Sequence, residues 1–144
     1  MIGYLASTNF AITLASLAAL SAREGLLWNG VATGTNVDDL MVQIGLGSSQ
    51  PTTADLQGCY IYFAGSADGT NYTQPATGVD AAVTMGTHIL APMFIPVPVG
   101  TLIVDYCVAS VAQYFGGTLP KKVAIVVENR TNGALYGTEA SFIK

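Results

Sequence analysis

The sequence predicts an all-β fold, an antiparallel β-sandwich or jelly-roll of about eight short strands with extended terminal segments. Three observations predict it. Leu40, Val42, Ile44 and Leu46 alternate with Met41, Gln43 and Gly45, the two-residue period of a half-buried strand. The chain carries 16 Gly and 6 Pro, with Ser, Thr and Asn at the breaks between apolar runs, as many short strands and turns require. Cys59–Phe63 and Val123–Val127 are runs of β-branched and aromatic residues, which suit a buried pleated surface. At 144 residues the chain is read as a single domain over residues 1–144, long enough to close a core without metals or disulfides.

Taken in order, Phe10, Ile12 and Leu14 alternate with Ala11, Thr13 and Ala15, which predicts a first strand. The Ala-rich stretch to Ala22 has helical propensity, but it is short and set among β patterns, so it reads as a turn. Gly25–Val31 is the next strand, followed by a polar loop at Thr33–Asn36. The alternating strand Leu40–Leu46 ends in the loop Gly47–Thr53. Cys59–Phe63 then runs into Gly65–Asn71, where Asp68-Gly69 supplies a tight reversal, and Tyr72 begins the returning limb. Gln74–Gly78 is a turn and Ala82–Met85 a brief strand.

Ile89–Val99 is apolar but broken by Pro92, Pro96 and Pro98, which cannot donate to a ladder, so it belongs at a sheet edge or in an extended cover. Thr101–Val111 is strand-like, and Gly116-Gly117 with Pro120 reverses the chain. The unbroken run Val123–Val127 predicts a central strand covered on both faces. Asn132-Gly133 favours a hairpin, and Leu135-Tyr136 with Phe142-Ile143 forms a terminal strand or arm.

Charged residues make up only 10% of the chain, against roughly 25% in ordinary soluble domains. So few charges leave little guard against association, and the surface is expected to be covered in part by other chains. The five basic residues are Arg23, Lys121, Lys122, Arg130 and Lys144, and the net charge is −4. That distribution argues against a nucleic-acid partner and against an anionic membrane surface. Residues Met1–Ala22 carry no charged side chain, but Ser7, Thr8 and Asn9 interrupt the apolar run. A secretory signal or membrane span is not expected there.

No constellation points to catalysis. His88 is the only histidine, which excludes a multi-histidine metal site and leaves a surface or capping role. No serine lies in a Gly-x-Ser-x-Gly setting. Cys59 and Cys107 lie in separate strands, open to a cross-sheet disulfide or to two buried thiols. Asp68 and Asn71 suit a turn better than a calcium loop, which needs several carboxylates in a short span, and Asp38-Asp39 precede a strand. A glycosidase needs two carboxyls across a cleft, and nothing in the sequence places such a pair among nine acidic residues. Trp28, Tyr4, Tyr60, Tyr62, Tyr72, Tyr106, Tyr114 and Tyr136 suit a core or interface first and a sugar-stacking platform second. Neither Gly34-Thr35-Asn36 nor Gly116-Gly117 forms a phosphate-binding loop. No catalytic, cofactor-binding or metal-ligating residue is therefore assigned, and no cofactor is expected.

Three stretches resemble small β-rich virion proteins of tailed bacteriophages: Tyr60–Tyr72, Ala76–Thr84 and Val108–Asn129. They lie between Tyr60 and Asn129, and none is a catalytic motif. The resemblance implies a non-enzymatic structural protein made in the host cytoplasm and carried in the virion. The leading expectation is a capsid decoration, or cement, protein that binds the head lattice as a homo-oligomer, a trimer suiting such a position. Its partners would be the major capsid protein or tail proteins. A tail, neck or fibre component with a receptor-binding role is the alternative within the virion. A carbohydrate-binding β-sandwich module is the alternative outside it. Ile89–Val99 and the two termini are the expected contact segments.

Overall fold

The computed structural model describes residues 8–30, 37–48, 58–73, 76–85, 93–97, 100–135 and 140–143. Among them are nine strands: β1 (Thr8–Asn9), β2 (Ala22–Asn29), β3 (Met41–Ser48), β4 (Gly58–Ser66), β5 (Ala81–Val83), β6 (Met93–Pro96), β7 (Gly100–Val108), β8 (Lys122–Asn129) and β9 (Ala140–Ile143). They form a four-stranded sheet in the order β1-β9-β3-β7 and a five-stranded sheet in the order β5-β2-β8-β4-β6. Every ladder among them is antiparallel. The chain is mostly β, and no two consecutive strands of the nine pair with each other.

Strand period sets the core. Val42, Ile44 and Leu46 project from the four-stranded sheet, and Ile61, Phe63, Val123, Ile125 and Val127 from the five-stranded one, into a single apolar cluster. Burying one such side chain is worth about 1.5–3 kcal/mol, so this cluster is the main source of stability. β8 lies at the centre of its sheet with Val123–Asn129 buried, as its unbroken apolar run requires. On its other face Val126 joins Ala22 and Tyr62 in a smaller cluster. β2 slips by one residue against β8 between Leu26 and Trp28, which turns both Leu27 and Trp28 into the core. Gly25 is needed beside that slip, because a Cβ there would lie 2.1 Å from the carbonyl oxygen of Ala11.

The Pro-broken segment behaves as expected where it is described, with β6 at the edge of the five-stranded sheet. Its remainder, residues 89–92 and 98–99, lies outside the described residues, as do the polar loop Thr33–Asn36, most of the loop Gly47–Thr53 and His88. Three other expectations are corrected. Phe10–Leu14 keeps the predicted burial of Phe10 and Leu14, yet it makes only one isolated bridge, Ala11 to Leu26. The Asp68-Gly69 turn does not start a returning strand. Thr73 donates its N–H to Gly65 O and accepts the Gly65 N–H at its hydroxyl, and the chain then crosses the sheet to β5 at its far edge. Asn132-Gly133 does not close a hairpin, because β8 is followed by β9 in the other sheet. Of the two readings of the C-terminal stretch, strand or arm, the structure shows the strand: β9 lies between β1 and β3. At both turns, Asp68-Gly69 and Asn132-Gly133, local chemistry bends the chain but does not choose its partner.

The connections are held by buried polar groups. Asn129, with no solvent exposure, places its Nδ2 2.9, 3.1 and 2.8 Å from the carbonyl oxygens of Leu17, Ala18 and Gly133. Its Oδ1 accepts from the N–H of Thr131 at 2.9 Å. The hydroxyl of Thr131 in turn accepts from that of Ser48 on the other sheet at 3.1 Å. Replacing Asn129 with Ala would strand several of these buried groups. The expected loss is about 3–4 kcal/mol. It is read as a lower urea midpoint with unchanged slope.

Candidate functional site

The outer face of the five-stranded sheet gathers polar chemistry that the sequence pattern did not place together. Register sets Phe94, Tyr60, Glu128 and Ala22 side by side across β6, β4, β8 and β2. The next row holds Tyr62, Val126 and Glu24. Two carboxylates and two tyrosines thus share one face. The signal was legible in part: at alternate positions Glu24 stands between Ala22 and Leu26, and Glu128 follows Ala124 and Val126.

Glu24 is 1% exposed, and its carboxylate accepts from the Thr77 N–H (2.6 Å), the Thr77 hydroxyl (2.7 Å) and the Gly78 N–H (3.0 Å). It therefore anchors the segment that crosses from β4 to β5 over the sheet. Gly78 has φ 79°, and a Cβ there would sit 2.3 Å from the Tyr72 hydroxyl, so glycine is required on both counts. Burial raises the Tyr72 phenol, and the Glu24 charge raises it further. At the end of the crossing, Asp80 accepts from the Arg23 Nε–H, the Thr13 N–H and the Thr13 hydroxyl. The Arg23 hydrogen bond, with those from Thr13, outweighs burial and holds the Asp80 carboxyl at about 2.

Glu128 is 4% exposed. One oxygen accepts from the Tyr62 hydroxyl at 2.8 Å and the other lies 2.6 Å from Arg130 Nη2. Burial, followed by the hydrogen bond to the Glu128 carboxylate, pushes the Tyr62 phenol well above its usual range. Tyr60 and Phe94, half-buried, complete the face with ring centroids 5.2 Å apart.

The remaining singled-out residues serve the fold. Asp68 accepts at one oxygen from the Ser66 hydroxyl and the Thr70 and Asn71 N–H groups, and at the other from the Asn71 amide. Those bonds, led by the two backbone ones, hold its carboxyl well below the usual range. Asp39 accepts from the N–H groups of Leu40 and Ala112. Burial pushes its carboxyl up, but hydrogen bonds led by the Ser110 hydroxyl bring it below its ordinary value. Asp38 is exposed. Trp28 is a core residue, and Tyr106 donates its hydroxyl to Pro96 O, linking the edge strands β7 and β6. Tyr114 packs on Phe63 from a 3-10 turn, Ala112–Phe115, that the sequence pattern did not reveal. Gly116 and Gly117 end that turn with φ 75° and 92°. Tyr4, Tyr136 and Gly34-Thr35-Asn36 lie outside the described residues.

Both cysteines are free thiols; Cys59 is buried in the core and Cys107 is exposed, so only one of the expected pair is buried. Burial pushes the Cys59 thiol up to about 12. Among the described residues no three His, Cys, Asp or Glu side chains are grouped to hold a metal ion. No helix among them is long and apolar enough to cross a membrane. The chain matches no protein-family model, no curated protein and no solved structure.

Two measurements check these assignments. Native protein treated with a maleimide at neutral pH should gain one adduct, at Cys107, and a second only on unfolding; rapid double labelling would show that Cys59 is not buried. The depressed Asp80 pKa contributes stability that is present above the unfolded value near 3.8 and is lost as pH falls through about 2. Asp80→Asn should therefore cost roughly 1 kcal/mol or less at pH 7 and clearly less near pH 2, where the carboxyl is half protonated. Chemical denaturation at the two pH values reads that difference.

Proposed function

We propose that this chain is a non-enzymatic structural protein of a tailed-bacteriophage particle, a capsid decoration or cement protein whose two sheets form a jelly-roll-like β-sandwich. The observation that carries the reading is Leu20. Its side chain is 74% exposed, and its backbone sits at φ 59°, a conformation that costs a branched residue roughly 1–2 kcal/mol. Its N–H is tied at 2.8 Å to the carbonyl of the fully buried Asn129, so the apolar tip is held outward by a hydrogen bond to the buried interior. A strained, exposed apolar residue tied to the core suits a contact with another protein. Val79, 56% exposed, adds a second apolar projection on the segment that crosses to β5.

Support also comes from the resemblance of the stretches between Tyr60 and Asn129 to phage virion proteins, and from the low surface charge. The buried carboxylates Glu24 and Glu128 are occupied by internal partners, which suits a scaffold better than proton transfer. The mechanism is additive: a rigid oligomer, a trimer in this reading, bridges neighbouring capsid subunits, and many modest contacts together resist internal pressure.

The test is stoichiometry and reconstitution. Purified virions should contain hundreds of copies, and heads lacking the chain should lose heat resistance and regain it on adding the protein. Leu20→Asp should fold normally yet fail to restore resistance. A dozen or fewer copies would place the chain in the tail, neck or fibres instead, and unchanged heat resistance without it would end the cement reading.

A further inference from the structure

The outer face of the five-stranded sheet holds a patch with the ingredients of a ligand site. Gly58, Tyr60 and Tyr62 alternate along β4 on that face, with Pro96 and Phe94 of β6 beside the first two. A Cβ at Gly58 would lie 2.6–2.7 Å from the Phe94 ring, so the missing side chain lets that ring lie over the strand. Tyr60 stands next to it with a 58° angle between ring planes, so a molecule resting on one ring is bounded by the other. Across β4, the Arg130 N–H donates to Gly58 O at 2.9 Å, which brings Arg130 to the patch. Its guanidinium is half exposed and is held at 2.6 Å by Glu128, itself braced by the Tyr62 hydroxyl.

The geometry points to a binding site for a neutral pyranose sugar on this face, with Phe94 and Tyr60 as the stacking surface and Arg130 as the hydroxyl-directed donor. Each part has its reason. The C–H face of a pyranose is apolar and weakly positive, and it complements the negative face of an aromatic ring. A guanidinium presents paired N–H donors at the spacing of adjacent hydroxyls, and the ion pair to Glu128 restricts it beforehand, which lowers the entropic cost of binding. The charge balance selects a neutral ligand: Glu128 compensates Arg130 within the patch, and the chain as a whole carries −4. A purely apolar docking partner would strand the Arg130–Glu128 pair, whereas hydroxyl groups continue its hydrogen bonding. One shallow patch of this kind gives weak affinity, on the order of millimolar, which many copies of the chain would multiply.

The inference does not depend on a virion role, and it is tested on the isolated chain. Saturation-transfer NMR would use methyl β-D-glucopyranoside, methyl β-D-galactopyranoside and methyl α-D-mannopyranoside, with glucuronate as the charged comparison. At least one neutral glycoside should receive magnetisation from the protein. Its affinity should fall roughly tenfold in Tyr60→Ala and in Phe94→Leu. The second variant keeps an apolar cover over Gly58 but removes the ring, so it decides the matter if the first fails to fold. Arg130→Lys should weaken binding, and Tyr114→Ala, which alters an aromatic outside this face, should leave it unchanged. Absence of transfer from all three glycosides would overturn the site. So would wild-type binding by Phe94→Leu, or tighter binding of glucuronate than of any neutral sugar.

Discussion

Asn129 joins stretches of chain that no strand ladder connects: from the end of β8 its amide meets the carbonyls of Leu17 and Ala18 in the N-terminal segment and of Gly133 in the turn beyond. The reason the molecule needs such a residue lies in its topology. No consecutive strands pair among those described, so each connection must travel over or around a sheet before its partner is reached. Backbone groups in those connections receive no help from neighbouring strands and must find partners elsewhere. Polar side chains, buried or half-buried where the connections pass, supply them. Glu24 does this for the crossing to β5, Asp39 for the entry to the 3-10 turn, and Asn129 for the N-terminal segment.

This arrangement divides the two faces of the five-stranded sheet by purpose. The inner face is apolar and packs against the four-stranded sheet. The outer face is partly covered where Ala76 of the crossing segment, Val83 of β5 and Met85 just beyond it pack on Ala22, Tyr62 and Val126. Beyond that cover lies the half-exposed row of Phe94, Tyr60 and Arg130. One carboxylate pins the cover and the other braces the arginine, so the same device serves the fold at one end of the face and a surface at the other. Leu20 and Val79 project from this low-charge exterior.

How far the fold was legible depends on the range of the forces involved. The run Val123–Val127 marked a strand covered on both faces because burial on both sides removes the need for alternation. The prolines of 92–98 marked an edge because a residue without N–H cannot sit between two partners. Both are local consequences of one strand's surroundings. Asp68-Gly69 and Asn132-Gly133 were read as strand reversals for equally local reasons, and both misled about the strand pairing beyond the turn. A turn fixes where the chain bends, while the choice of the next ladder depends on side chains far along the sequence.

By itself, then, the sequence determined the β class, most strand positions and which residues face inward, because two-residue periodicity and proline chemistry act within a few residues. Only the tertiary structure decided the strand order, the burial of Glu24, Glu128 and Asn129, and the meeting of Phe94, Tyr60 and Arg130 on one face. Those features arise from residues separated by long stretches of chain, and a polar side chain becomes buried only when distant segments bring donors to it. The left-handed backbone of Leu20 belongs with them. No local preference favours leucine there, and the conformation is kept by the turn bond from Ser21 N–H to Ala18 O together with the long-range bonds of Leu20 and Ser21 to Asn129.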